Sequence, residues 1–150
     1  MRAVILEKLY MWTLTPYQFF KKNDAWNIGI NDLLNFPKQS LGYETGHFLV
    51  SNNFDLQEKL ESHDVFHILT NTGITVPDEI SMQFYLIGNG KRSIYLLSVV
   101  LLGTLLYPDY LKKIVSKYRL GKSSLQFYHL DFLKLLTQPV KKIKDTFLIH

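Results

Sequence analysis

Two histidines and two carboxylates, His63, Asp64, His67 and Glu79, stand close enough in the sequence to meet around one cation: H-D-x-x-H, then eleven residues, then E. On a helix, positions 63 and 67 lie one turn apart on one face with 64 beside them, so three ligand-capable side chains leave the backbone together. Two imidazoles and two carboxylates make an N2O2 donor set, which suits zinc in four-coordinate geometry and also accommodates Fe(II) or Mn(II). The chain has no cysteine, so a metal must be held by nitrogen and oxygen, and disulfides are excluded. An isolated H-x-x-x-H pair is more often packed or solvated than ligating; Asp64 and Glu79 at fixed offsets are what favour a metal here. Four protein ligands resemble a closed structural site, but a carboxylate that swings aside admits water or substrate, so ligand count leaves both a structural and a catalytic metal open. Metal-dependent phosphohydrolase chemistry is disfavoured, because such sites need further His and Asp ligands dispersed along the chain and no second cluster is present.

The elements that must position these residues are legible around them. Asp55 with Glu58 three residues on makes a capping-box-like start for a helix that carries the histidines and stops before Gly73. Leu56, Leu60, His63 and His67 then form one stripe, which points the histidines inward. Pro77 suits the first turn of a following helix ending by Gly88, and the loop NTGITV lets that helix fold back so that Glu79 approaches the histidines.

Elsewhere Pro and Gly cut the chain into helix-sized pieces. An amphipathic segment is expected over 4–22, broken near Pro16, followed by a short piece at 32–35 and a helix capped by Ser40 that runs to about residue 51. A strongly apolar helix is expected from about Lys91 through 94–107, then one opened by Pro108 and Asp109 that carries Lys112, Lys113, Lys117 and Arg119 before Gly121. The stretches 123–136 and 139–147 read as one or two more helices. Period-two alternation is nowhere sustained, and no linker or repeat divides the chain, so the expectation is an all-α fold of about six or seven helices in a single domain over 1–150.

The net charge of +4 is uneven: residues 1–75 carry six basic against eight acidic groups, and residues 76–150 eleven against five. A basic second half can face anionic lipid, a phosphorylated ligand or nucleic acid, although a solvated helix face is the commoner use of such charge. Aromatic residues are not interleaved with basic ones, which argues against nucleic acid. Glu7 and Lys8 interrupt the N-terminal apolar run, so no signal peptide is expected, and the 94–107 run is short of the roughly twenty residues a spanning helix needs. Phe84 and Leu97 are candidates to line an apolar ligand site and Lys91 and Arg92 to neutralise an anionic head group, with core packing and solubility as the plainer alternatives. The apolar excess leaves room for a homodimer.

The motif HDVFH-ILTNTGITVPD-E resembles the signature of the coenzyme Q biosynthesis protein 4 family. SLGYETGHFL at 40–49 and the ending LDFLKLLTQPVKKIKDTF are similar to that family's flanking segments, so the resemblance covers roughly 37–150. Gln83 stands where the family carries lysine, and Phe132 and Leu133 where Trp and Glu are usual, as in a divergent, bacterial-type member. The resemblance implies an all-helical fold with a metal site between two helices, zinc held by His63, Asp64, His67 and Glu79, and an apolar channel for a polyprenyl lipid or quinone precursor. It also implies a cytoplasmic protein peripherally associated with the inner membrane, in contact with other quinone-biosynthesis proteins. Two roles follow from it: oxidative decarboxylation and hydroxylation at C1 of a prenylated hydroxybenzoate, or a non-catalytic isoprenoid-presenting scaffold with a structural metal.

Overall fold

The computed structural model describes residues 24–150 together with Val4, so the amphipathic segment expected over 4–22 lies, apart from that one residue, outside the described residues. Among residues 24–150 seven α-helices follow in order: α1 (Ile30–Leu34), α2 (Leu41–Ser51), α3 (Glu61–Leu69), α4 (Val76–Gly88), α5 (Ile94–Leu106), α6 (Leu111–Ser123) and α7 (Val140–Phe147). Short 3-10 turns occupy Pro108–Tyr110 and Phe132–Leu135. The described residues contain no strand, only an isolated bridge between Ser40 and Pro139, and the fold is all-α as expected.

Ser40 caps α2 as the sequence suggests, its hydroxyl accepting the Tyr43 N–H. Three backbone bonds, Leu41 N–H to the Gln138 carbonyl, Gly42 N–H to Leu136 and Val140 N–H to Gln39, tie the start of α2 to the start of α7. The main core gathers Val65, Phe66 and Leu69 of α3, Met82, Tyr85 and Leu86 of α4, Leu96 of α5, and Phe127, Phe132, Ile143 and Ile149. Helix α4 is thus the central element: α3 packs on one side of it, and α5 and α6 on others.

Helices α4 and α6 come into backbone contact. A Cβ on Gly88 would run into the Tyr118 carbonyl, and one on Gly121 into the Tyr85 carbonyl, so the two backbones touch where both residues lack a side chain. Just past this crossing Asn89 is fully engaged. Its carboxamide donates to the carbonyls of Gly121 (3.3 Å) and Leu125 (2.9 Å) and accepts from the N–H groups of Phe127 (3.0 Å) and Tyr128 (3.3 Å).

That side chain corrects one expectation. Beyond the end of α6, residues 124–131 are not helical, because a buried carboxamide takes the backbone groups of 125–128 that a helix would have used. Two helix starts are also later than expected. The histidine helix begins at Glu61 rather than Asp55: Lys59 adopts φ +67, which breaks an α-helical run, while Leu56 packs onto the Leu33, Leu49 and Leu136 cluster. Helix α5 begins after Ser93, whose hydroxyl accepts the Leu96 N–H, rather than at Lys91.

Candidate metal centre

Helix α3 ends in a Schellman motif. Asn71 is left-handed (φ +48), its N–H reaches the Ile68 carbonyl, and the Thr72 N–H reaches the His67 carbonyl at 3.0 Å. The chain then reverses through Gly73 to Thr75, whose hydroxyl caps α4 by accepting the Asp78 N–H, with Pro77 in the first turn. Lys113 of α6 pairs with Asp78 at 2.7 Å and anchors that turn from outside. Glu79, the next residue, is thereby presented to α3 from the N-terminal end of a helix, where the dipole favours a carboxylate.

The result is convergence. Glu79 Oε2 lies 3.2 Å from His63 Nε2 and Glu79 Oε1 lies 2.7 Å from His67 Nε2, with the two imidazole centroids 4.9 Å apart. One donor atom from each of the three residues falls within 4.8 Å of the others. His67 is buried, 3 % exposed at the side chain, whereas Glu79 retains 31 %, so the group opens to solvent on the Glu79 and His63 side. Phe48 of α2 stacks on the His67 ring at 5.3 Å and closes the inner wall.

The electrostatics are those of one anion shared by two imidazoles. Burial pushes the His63 imidazolium down, but the Glu79 charge and hydrogen bonds to Asp64 and Glu79 outweigh it and push the group up to about 9. Burial likewise pushes the Glu79 carboxyl up, and the His63 charge with hydrogen bonds from both histidines holds it well below the usual carboxylate range. A carboxylate oxygen and an unprotonated imidazole nitrogen both present lone pairs, so each contact requires a cation between them, either a proton or a metal.

A metal fits this donor set. The Thr72 carbonyl can only accept, so His67 Nδ1, 3.2 Å away, carries the proton and leaves Nε2 for coordination. Ligands at tetrahedral angles around zinc stand about 3.3 Å apart; the His63–Glu79 separation of 3.2 Å is close to this, the His67–Glu79 contact of 2.7 Å is shorter, and the three donor atoms fall within 4.8 Å. Three protein ligands leave a position for water or substrate, the pattern of catalytic zinc sites. Asp64 lies outside the converging group: its Oδ1 is 3.8 Å from His63 Nδ1, on the far side of the ring from Glu79.

The other candidate residues have separate surroundings. The Lys91 ammonium sits 4.8 Å above the Phe66 ring, and Arg92 donates from Nη1 to the carbonyls of Ile87 (2.8 Å) and Lys91 (2.9 Å). Phe84 packs against Ile80, Tyr107 and Ile114, while Leu97 faces outward from α5. Sequence reasoning did not single out Phe48 or Thr72. Phe48 lies in the stretch 40–49 but nothing there marks it as a ring partner, and Thr72 acts on His67 through its backbone, which has no residue-type signal.

No protein-family profile matches the sequence, and no curated protein matches it. In three dimensions the chain is similar to the crystal structure of a candidate ubiquinone biosynthesis protein from Nostoc punctiforme PCC 73102. The TM-score is 0.73 over 99 % of this chain and 81 % of that one, at 14 % sequence identity. The shared property is the fold.

Proposed function

We propose that this protein is a metal-dependent member of a quinone-biosynthesis system that acts on, or presents, a prenylated aromatic precursor. The observation that carries this reading is the convergence of His63, His67 and Glu79 within 4.8 Å, on a fold similar to that of a candidate ubiquinone biosynthesis protein. Zinc is the first choice of metal, with Fe(II) and Mn(II) accepted by the same donors. When bound, it would supply Lewis acidity toward a ring carboxylate or oxygen. His63, His67 and Glu79 would hold it, and Asp64, 3.8 Å from His63 Nδ1, would steady that ring from the side away from Glu79. Phe48 keeps water from the inner side of His67.

The isoprenoid and membrane parts of the reading rest on α5. Ile94 (86 % exposed), Leu97, Leu101 (63 %) and Leu105 (69 %) share one face, a larger continuous apolar strip than a solvated helix presents. No helix among the described residues is long and apolar enough to cross a membrane. Lys112, Arg119 and Lys122 lie exposed on the next helix, α6, together with Leu111 and Val115. Apolar side chains flanked by basic ones suit the surface of an anionic bilayer and the prenyl tail within it.

The test is metal analysis combined with lipid mass spectrometry on the purified protein, followed by turnover of a prenylated hydroxybenzoate with an oxidant present. Stoichiometric metal in the wild type and its loss in His67→Ala and Glu79→Ala are expected. Failure of the wild type to retain metal would sink the reading. Product formation undiminished by loss of the metal in folded variants assigns the metal to bracing α3 against α4, the scaffold role.

A further inference from the structure

His67 is held at both ends of its own turn, and one holding group comes from a distant helix. The Thr72 N–H donates to the His67 carbonyl at 3.0 Å, and the Thr72 carbonyl accepts the His67 Nδ1–H at 3.2 Å. Residue 72 therefore brackets residue 67 through backbone and side chain together. The bracket works only if the turn 70–72 stays in place, and its internal ties are short-range: Thr70 Oγ1 to Thr72 Oγ1 at 2.7 Å, and Thr70 Oγ1 to the Phe66 carbonyl at 2.7 Å. Its external tie is Lys117 of α6, whose Nζ donates to the Thr70 carbonyl at 3.1 Å across 47 residues of sequence.

The Thr70 carbonyl is the acceptor an ammonium should seek, because the last carbonyls of α3 have no helical partner and carry the negative end of its dipole. Lys117 is half-buried rather than waving in solvent. Burial lowers its ammonium below the usual lysine range, Lys113 adds to this and Asp78 opposes it. Lys144 of α7 is lowered by burial first and then by the nearby Lys117 charge. The hydrogen bond to the Thr70 carbonyl holds this ammonium in place among its lysine neighbours.

We propose that Lys117 is a positioning residue for His67: by fixing the Thr70 carbonyl it locks the 70–72 turn, keeps the Thr72 carbonyl on Nδ1–H, and so keeps Nε2 directed toward Glu79. Lys117 touches no metal ligand. It acts on the tautomer and angle of one ligand through a backbone turn, which is how outer partners tune a site they do not enter. The inference rests on the metal reading for its consequence and on the hydrogen bonds alone for its geometry.

Both parts are testable on the full chain with Lys117→Met, Lys117→Arg and, as a control at an exposed position of the same helix, Ser116→Ala. The first readout needs no metal: the His67 Nδ1–H resonance in 15N-labelled protein. It is expected to be slow to exchange in the wild type, in Lys117→Arg and in the control, and to broaden or exchange freely in Lys117→Met. The second is the zinc dissociation constant by chelator competition, expected to weaken about tenfold in Lys117→Met and to be restored at least in part by Lys117→Arg. A Lys117→Met protein that keeps both its protected Nδ1–H and its zinc affinity, whatever its melting temperature, overturns the proposal and leaves Lys117 as a helix cap. Should the wild type bind no zinc, the metal reading fails separately, and the Nδ1–H measurement still decides whether Lys117 governs His67.

Discussion

Two faces of α4 are treated in opposite ways. Against α6 it lies in backbone contact, Gly88 on the Tyr118 carbonyl and Gly121 on the Tyr85 carbonyl, with Asn89 binding four backbone groups at the edge of the crossing. Against α5 the contact is made by Gly103 on the Ile80 side chain, and the opposite face of α5 is left apolar and exposed. The first packing is saturated and tolerates no added atom; the second buries only one side of its helix. Apolar character alone therefore does not say which helix is core. Among the described helices the strongly apolar α5 turns one face outward, while the strongly basic α6 lies in backbone contact with α4.

The difference can be broken at the tight side first. Gly121→Val should cost about 3 kcal/mol or more, seen as a lowered urea midpoint, because the clash is with backbone that cannot rotate away. Asn89→Leu should cost roughly 2–4 kcal/mol in the same assay, since it strands the N–H groups of Phe127 and Tyr128 and the carbonyl of Leu125. Replacing a metal donor belongs next: His67→Ala should weaken zinc binding by at least about 100-fold in a chelator competition. At the loose side, Leu101→Glu should leave stability within about 0.5 kcal/mol and reduce sedimentation with anionic vesicles. Unchanged vesicle binding there would remove the membrane reading of α5, and a large loss of stability would show that α5 is covered.

The metal-free site has a pH dependence with a defined sign. His63 is raised from 6.5 to about 9, so its contribution to stability is present in full below about pH 6.5 and lost as pH rises through about 9. Glu79 is depressed from 4.5, so its contribution is present above about pH 4.5 and lost as the pH falls toward its folded value. The gap in urea midpoint between wild type and His63→Asn should accordingly shrink between pH 6.5 and 9 in the absence of metal. A gap that is flat over that range would contradict the shared-anion description of Glu79.

Much of this site could be read in the sequence, because helical period and a proline are local facts. The spacing of His63 and His67, the stop before Gly73 and the restart at Pro77 place Glu79 where it is found. The start of α3 was not legible: a capping pair at Asp55 and Glu58 is a local preference, and the packing of Leu56 overrode it. Nor was the shape of 124–131, which depends on a carboxamide 36 residues and more away. In the sequence Gly88 and Gly121 stand as helix punctuation. They stand at or near helix ends, but their lack of a side chain also serves a contact that no pattern within either helix announces.

That contact makes α4 a lever with one fixed end. Glu79 is in its first turn and Gly88 is its last residue, about 13 Å further along a rigid rod. Where the carboxylate sits relative to the histidines is thus set partly by how closely two backbones meet at the far end. A small substitution at Gly121, one that tilts α4 without unfolding the chain, would present as a protein that has lost its metal while every ligand is intact. Inherited or engineered defects of this kind would be invisible to any search confined to the ligands.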